Sequence, residues 1–252
     1  MKALVTGASS GIGRDIARYL SSLGYDIIAV ARGGEALSKL KEELPTKVEV
    51  ISVDLSDEKA CKGLYETVKH KKVDLLVNNA GFGDFGEFTN TDLDKELNMI
   101  DVNIKAVHIL TKLFLQDMVK RDKGYILNVA SIAGFMPGPL MATYYSTKAY
   151  IVRLTQALYT ELKKKKSKVK ISALCPGPVN TNFNKVANVK FNLKGQSSEF
   201  VAKYGIDEML KGKTIILSGG KIKIARFLAK ISPEKLVARI CMKMQEKKKN
   251  KY

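Results

Sequence analysis

The sequence predicts an α/β fold: a doubly wound parallel β-sheet with helices on both faces. Three observations carry this reading. Short apolar runs alternate with helical stretches along most of the 252 residues. Those runs are apolar throughout and often β-branched, as expected of parallel strands covered on both sides. A glycine-rich turn leads from the first strand straight into the first helix, the arrangement of a doubly wound sheet. No internal repeat or linker breaks the pattern, so residues 1–252 read as a single domain.

Residues 3–6 form the first strand. Residues 11–23 follow as a helix, with Ile12, Ile16, Tyr19, Leu20 and Leu23 at helical spacing and Gly24 as the stop. Residues 27–31 are the second strand, and 34–43 a helix ended by Pro45. Strands at 48–53 and 75–78 flank a helix at 58–69. A long helical region covers 93–121, a strand 125–129, a long helix 142–163 and a strand 170–174. After Pro176 the periodicity weakens: 179–204 reads as loop and 214–217 as a last strand. Residues 222–231 and 233–246 read as basic helices, a C-terminal extension.

Composition narrows the function classes. Hydrophobic residues make up 45% and charged residues 27%, as in ordinary globular chains. No apolar run reaches the roughly 18–20 residues of a membrane span. Met1 and Lys2 lead directly into the first strand, which leaves no room for a signal peptide, so a cytoplasmic protein is expected. Cys61, Cys175 and Cys241 are scattered and there are two histidines, His70 and His108, so neither a disulfide scaffold nor a metal site is expected.

The net charge of +18 is unevenly placed. Residues 1–162 hold 20 basic and 20 acidic residues, whereas 163–252 hold 23 and 5. Such asymmetry suits an anionic partner or simply lysine-rich solvated faces. The runs at 163–166 and 247–249 lack the interleaved aromatics and arginines of a base-stacking surface, so nucleic acid is not expected.

The turn after the first strand reads Thr6-Gly7-Ala8-Ser9-Ser10-Gly11-Ile12-Gly13. Its glycines permit a tight turn and close backbone approach, and the helix start that follows offers free N–H groups to a pyrophosphate. The sequence continues with Asn78-Asn79-Ala80-Gly81 after the fourth strand, Asn103 within the long helical region and Ser131 after the fifth strand. Tyr144-Tyr145-Ser146-Thr147-Lys148 and Pro176-Gly177 follow, with Val179 and Thr181 beyond. In these motifs, taken in this order over about residues 1–181, the chain resembles the short-chain dehydrogenase/reductase family.

The resemblance implies a Rossmann-like fold and hydride transfer between a nicotinamide cofactor and a carbonyl or secondary alcohol. It implies that Gly7, Ser9, Ser10, Gly11, Ile12 and Gly13 hold the cofactor phosphates, with Asp54 and Leu55 at the adenine. Asn79, Ala80, Gly81, Tyr144, Lys148, Pro176, Gly177, Val179 and Thr181 would complete the cofactor site. It gives Asn103, Ser131, Tyr144 and Lys148 catalytic roles, Asn103 through a water-linked relay to Lys148. Beyond about residue 182 the pattern departs from the common family form, and 182–252 reads as a divergent lid followed by C-terminal helices. That tail is similar to a bacterial subgroup of unassigned or acyl-type substrate.

The chemistry of Ser131, Tyr144 and Lys148 agrees. Tyr144 and Lys148, four apart, share a helix face, whereas Tyr145 plus four is Ala149. Lowering a tyrosine from near 10 by about three units takes about 4 kcal/mol. One ammonium about 4 Å away at an effective dielectric of about 20 supplies roughly that much. Lys148 is therefore expected to lower Tyr144 into a working acid–base range. Ser131 can donate to a carbonyl oxygen as it gains charge.

An acidic residue at the end of the second strand would select NAD. Arg32 stands there instead, suited to a 2′-phosphate, so NADP(H) is expected over NAD. The segments 82–88 and 135–140 are rich in phenylalanine, methionine and glycine, which suits a hydrophobic ketone, a 3-oxoacyl thioester or a steroid-like carbonyl. Two other readings are a non-catalytic NADP-sensing protein and a reductase docked on an anionic membrane through its basic end; retention of both Tyr144 and Lys148 argues against the first. For the tail, a cap over the substrate cleft is preferred to membrane contact. A homodimer or homotetramer is expected through the two long helices, with Leu110, Leu113, Phe114, Leu158 and Leu162 on their outer faces.

Overall fold

The computed structural model describes residues 1–187 and 195–249; positions 188–194 of the expected lid, and 250–252, lie outside them. The predicted strands form as β1 (Lys2–Thr6), β2 (Asp26–Ala31), β3 (Val48–Ser52), β4 (Leu75–Asn78), β5 (Tyr125–Val129) and β6 (Lys170–Cys175). The short β7 (Val179–Asn180) and β8 (Gln196–Ser197) pair with each other, and β9 (Ile215–Leu217) closes the main sheet. The seven-stranded sheet has the order β3-β2-β1-β4-β5-β6-β9, parallel throughout.

The strands' period of two explains why both faces need helices. Ala3, Val5, Ile27 and Ala29 turn to one face, under Ile16 and Leu20 of α1 (Gly11–Ser22) and Leu37 of α2 (Gly34–Glu43). Leu4, Ile28, Val30 and Leu76 turn to the other, under Leu64 of α3 (Glu58–Val68) and Leu110, Phe114 and Met118 of α5 (Val107–Lys120). On α6 (Ala142–Lys164), Ile151 and Val152 pack on Ala173 and Cys175 of β6. The chain first runs outward from β1 to β3, then returns to β4 on the other side of β1. The crevice of a doubly wound sheet opens at that reversal, beyond the carboxyl ends of β1 and β4.

Three sequence expectations change. The region 179–204 is not all loop. It holds the short α7 (Phe183–Val186) and the start of α8 (Ser198–Leu210), whose Val201, Ala202, Ile206 and Met209 are buried against the α1 face. Ser197 caps α8 by accepting from Phe200 N, and Asp15 of α1 accepts from the Ser198 hydroxyl at 2.5 Å. The helical region 93–121 forms without a break but is not uniform α-helix: α4 (Leu93–Ile100) and α5 are joined by a π-helical turn, Asp101–Ala106.

The third correction concerns the expected oligomer face. Leu110, Phe114 and Leu162 are 1%, 3% and 6% exposed, because they cover the chain's own sheet. These three are therefore unavailable to a second copy, whereas Leu113 and Leu158 are partly exposed, so the expected outer face shrinks to those two. The chain ends in α9 (Gly220–Ile231) and α10 (Glu234–Lys249). Among the described residues, no helix is long and apolar enough to cross a membrane.

Candidate active site

The glycine turn is shaped by what surrounds it. Gly7 and Gly11 have φ of +65° and +54°, a region that favours glycine. A Cβ on Gly13 would stand 2.3 Å from Gly7 O and 2.3 Å from Asn79 Nδ2. The turn is pinned from β4. Asn79 Nδ2 donates to Thr6 O (3.0 Å) and Gly7 O (3.2 Å), while the Thr6 hydroxyl accepts from the N–H groups of Asn79 and Ala80. Thr6, which the sequence marks only as the start of the turn, thus joins β1 to the Asn79-Ala80-Gly81 segment through its hydroxyl.

A cleft of about 1400 Å³ runs from this turn over the sheet's carboxyl edge to the C-terminal helices. Ser9, Ser10, Gly11 and Ile12 line it at the phosphate turn, with Arg32, Asp54 and Leu55 toward the outer strands and Ala80, Gly81, Pro176 and Thr181 toward the centre. Gly7, Asn79, Gly177 and Val179 line it as well. The turn at one end and the length of the cleft together fit an extended dinucleotide. Arg32 is exposed at the end of β2. Asp54 accepts from Ser56 N and Oγ, both at 2.9 Å, and those bonds, aided by Arg32, hold its carboxyl below the ordinary range.

Ser131, Tyr144 and Lys148 face the same cleft. Ser131 follows β5 and caps a single 3₁₀ turn, accepting from Ala133 N at 3.1 Å, which leaves its own O–H to donate. Next to it, Ile132 N donates to Pro176 O at 2.9 Å, joining the ends of β5 and β6. Tyr144 and Lys148 lie one turn apart on α6, with the ammonium 5.8 Å from the phenol ring centroid. Lys148 Nζ donates to Val129 O at 3.0 Å.

The expectation that Lys148 lowers Tyr144 is not met within the protein alone. Burial raises the phenol to about 12, opposed by a hydrogen bond with Ser131, and the same burial lowers the ammonium to about 8. A poorly solvated floor disfavours whichever form of each group is charged. The chain thus holds Tyr144 protonated at neutral pH.

Gly13 and Asn103, by contrast, stand behind the cleft wall. Asn103 lies in the π-helical turn and is 1% exposed. Its Oδ1 accepts from Phe82 N at 3.1 Å, and its Nδ2 donates to Phe82 O at 2.9 Å and to Thr147 Oγ1 at 3.1 Å. Thr147 in turn donates to Tyr144 O at 2.7 Å. Asn103 therefore braces the segment after Gly81 against the helix that carries Tyr144 and Lys148. Its carboxamide is engaged in direct bonds to Phe82 and Thr147. Thr147 was passed over in the sequence, although its place between Tyr144 and Lys148 was a signal.

The far end of the cleft comes from residues no motif marked. Phe183 lies over Tyr144, ring centroids 5.2 Å apart. A Cβ on Gly177 would stand 2.3 Å from Ile222 Cδ1, so α9 begins directly on the Pro176-Gly177 turn. Ile222, Ala225, Leu228, Ile240 and Met244 continue the wall. The C-terminal helices thus close the side of the cleft beyond Tyr144.

Residues 1–190 match the family model described as short chain dehydrogenase. The chain is 36% identical over 181 residues to an uncharacterized oxidoreductase of Staphylococcus epidermidis, a match covering 71% of this chain and 78% of that protein. It is also 36% identical over 193 residues to a very-long-chain 3-oxoacyl-CoA reductase of Mycosarcoma maydis, covering 73% of this chain and 55% of the other. Among solved structures, a short-chain dehydrogenase from Sphingobium yanoikuyae in complex with NADPH superposes with a TM-score of 0.80 at 25% identity, covering 86% of this chain and 87% of that one. A short-chain dehydrogenase/reductase from Burkholderia phymatum in complex with NAD gives a TM-score of 0.82 at 25% identity, covering 90% and 92%.

Proposed function

The chain belongs to the short-chain dehydrogenase/reductase family and is an NAD(P)-dependent oxidoreductase; on that premise we propose that it reduces the carbonyl of a hydrophobic substrate with NADPH. One observation carries this reading: a single cleft joins the glycine turn, Ser131, Tyr144 and an apolar end walled by α9 and α10. When bound, the nicotinamide supplies or accepts the hydride.

The chain's own residues handle the proton and the charge. Tyr144, held protonated, gives its proton to the carbonyl oxygen as that oxygen gains charge. Ser131 Oγ–H donates to the same oxygen. The Lys148 ammonium, on the same face of α6, stabilises the phenolate that proton loss would leave. Asn103, through Phe82 and Thr147, keeps these groups in register.

For the cofactor, Arg32 at the end of β2, with no carboxylate there, supports NADPH over NADH. For the substrate, the apolar wall beyond Tyr144 supports a long or polycyclic carbonyl compound, and the 3-oxoacyl-CoA reductase among the relatives favours a 3-oxoacyl thioester. A cytoplasmic homodimer or homotetramer completes the proposal; a light-scattering mass of 27.8 kDa would remove the oligomer from it.

NADPH oxidation against a panel of hydrophobic ketones and 3-oxoacyl thioesters, repeated with NADH, tests the reading. Tyr144→Phe should lower turnover by about 10²–10⁴-fold while NADPH still binds. A Tyr144→Phe variant with a tenth of the wild-type rate would overturn the assignment. NADPH binding without turnover on any carbonyl would favour a sensing protein.

A further inference from the structure

The two C-terminal helices carry more apolar surface than the cleft uses. On α9, Ile222, Ala225 and Ala229 line the cleft. Ile224, Phe227, Leu228 and Ile231 follow a second helical spacing, i, i+3, i+4 and i+7, and are between 52% and 62% exposed. On α10, Val237, Cys241 and Gln245 are buried, while Leu236, Ile240 and Met244 recur every four residues and are 45% to 50% exposed.

Basic residues border these outer stripes. Lys223 and Lys230 flank the α9 stripe on one side and Lys221 on the other; Lys235, Arg239 and Lys243 flank that of α10. Between residues 220 and 246 there are seven basic and two acidic residues. A second copy brought face to face here would set one basic surface against another. An anionic surface with an apolar interior beneath it meets both the charge and the stripes.

We propose that the outer face of α9 and α10 docks on an anionic lipid bilayer, lying in the interface plane without crossing it. Leu228, Ile240 and Met244 belong both to this exposed face and to the cleft wall. The docked face therefore borders the apolar end of the cleft, and a lipophilic substrate passes between lipid and cleft along these side chains. The docking stands independently of the proposed carbonyl reduction.

The test is co-sedimentation of the full chain with phosphatidylcholine vesicles, with and without phosphatidylglycerol. Binding to the anionic vesicles should be stronger by at least about tenfold and should fall with added salt. The double variant Phe227→Glu/Ile231→Glu should lose it, as should Lys223→Gln/Lys230→Gln to a lesser degree. Neither pair lines the cleft, so NADPH binding should be retained as the check on folding. Equal sedimentation with neutral and anionic vesicles would overturn the proposal, as would undiminished binding by the glutamate variant. So would a wild type that ignores vesicles but drops in light-scattering mass when the two glutamates are introduced, since this face would then join copies of the chain.

Discussion

Gln245 Nε2 donates a hydrogen bond to the Tyr145 hydroxyl at 2.9 Å, across 100 residues of sequence. Gln245 is 1% exposed, and Tyr145 neighbours the proposed proton donor on α6. The Tyr145 ring fits because Gly138 has no side chain: a Cβ there would stand 2.1 Å from Tyr145 Cγ. The bond ties the last helix, which walls the apolar end of the cleft, to the helix that carries Tyr144.

Tyr145→Phe keeps the ring and deletes this bond. A neutral hydrogen bond is worth about 0.5–1.5 kcal/mol, so the equilibrium holding α10 in place should weaken by up to about tenfold. The expected result is a several-fold rise in KM for a long apolar substrate, with kcat and the KM of a small ketone little changed. A fall in kcat like that of Tyr144→Phe would show instead that Tyr145 takes part in the chemistry.

Arg32→Ala should weaken NADPH binding by about 1.5–3 kcal/mol, the worth of a hydrogen bond to a charged group, and leave NADH binding nearly as it was. Fluorescence titration with both cofactors measures this. Equal losses would mean that Arg32 does not meet the 2′-phosphate.

Gly13→Ala should abolish nucleotide binding. The new methyl would meet both the backbone of Gly7 and the amide of Asn79, neither of which can yield without breaking the Thr6–Asn79 bonds that hold the turn. Overpacking of this kind costs about 1–3 kcal/mol, so the variant should also melt several degrees lower. Calorimetry with and without NADPH would read both effects, and wild-type stabilisation by NADPH would contradict the prediction.

Why the sequence was legible up to Pro176 and less so beyond follows from how each part folds. The strands are covered on both faces and so read as apolar runs, and the glycine turn is dictated by local backbone demands. Tyr144, Lys148 and Ser131 sit on or beside regular elements at short spacings. Beyond β6, α8 was passed over although Val201, Ala202, Ile206 and Met209 repeat at helical spacing, because 179–204 was read as one piece. The Asn103 brace depends on a π-helical turn that brings the side chain to Phe82 and Thr147, and no local pattern announces it. The Tyr145–Gln245 pair joins residues 100 apart and left no local signal. The pKa of Tyr144 was misjudged for a physical reason: charge attraction was counted and burial was not.

The last prediction uses that burial. Lys148 is lowered to about 8 and Tyr144 raised to about 12, both chiefly by burial. In carbonyl reduction Tyr144 must start protonated, and it does so throughout the accessible range. Lys148 is therefore the group whose titration shows: kcat/KM should be flat below about 8 and fall as pH rises through it, because the ammonium that stabilises the phenolate is lost. Stability should move the other way. The unfolded lysine titrates near 10.4, so between about 8 and about 10.4 the unfolded chain binds more protons at this position, and this residue's contribution to stability rises with pH. Measured against Lys148→Met, which has no titration here, the wild type should gain up to about 3 kcal/mol across that window. Activity falling while relative stability rises separates loss of the ammonium from simple unfolding. A parallel decline of both would mean that Lys148 stays charged above pH 8 and that another group controls the profile.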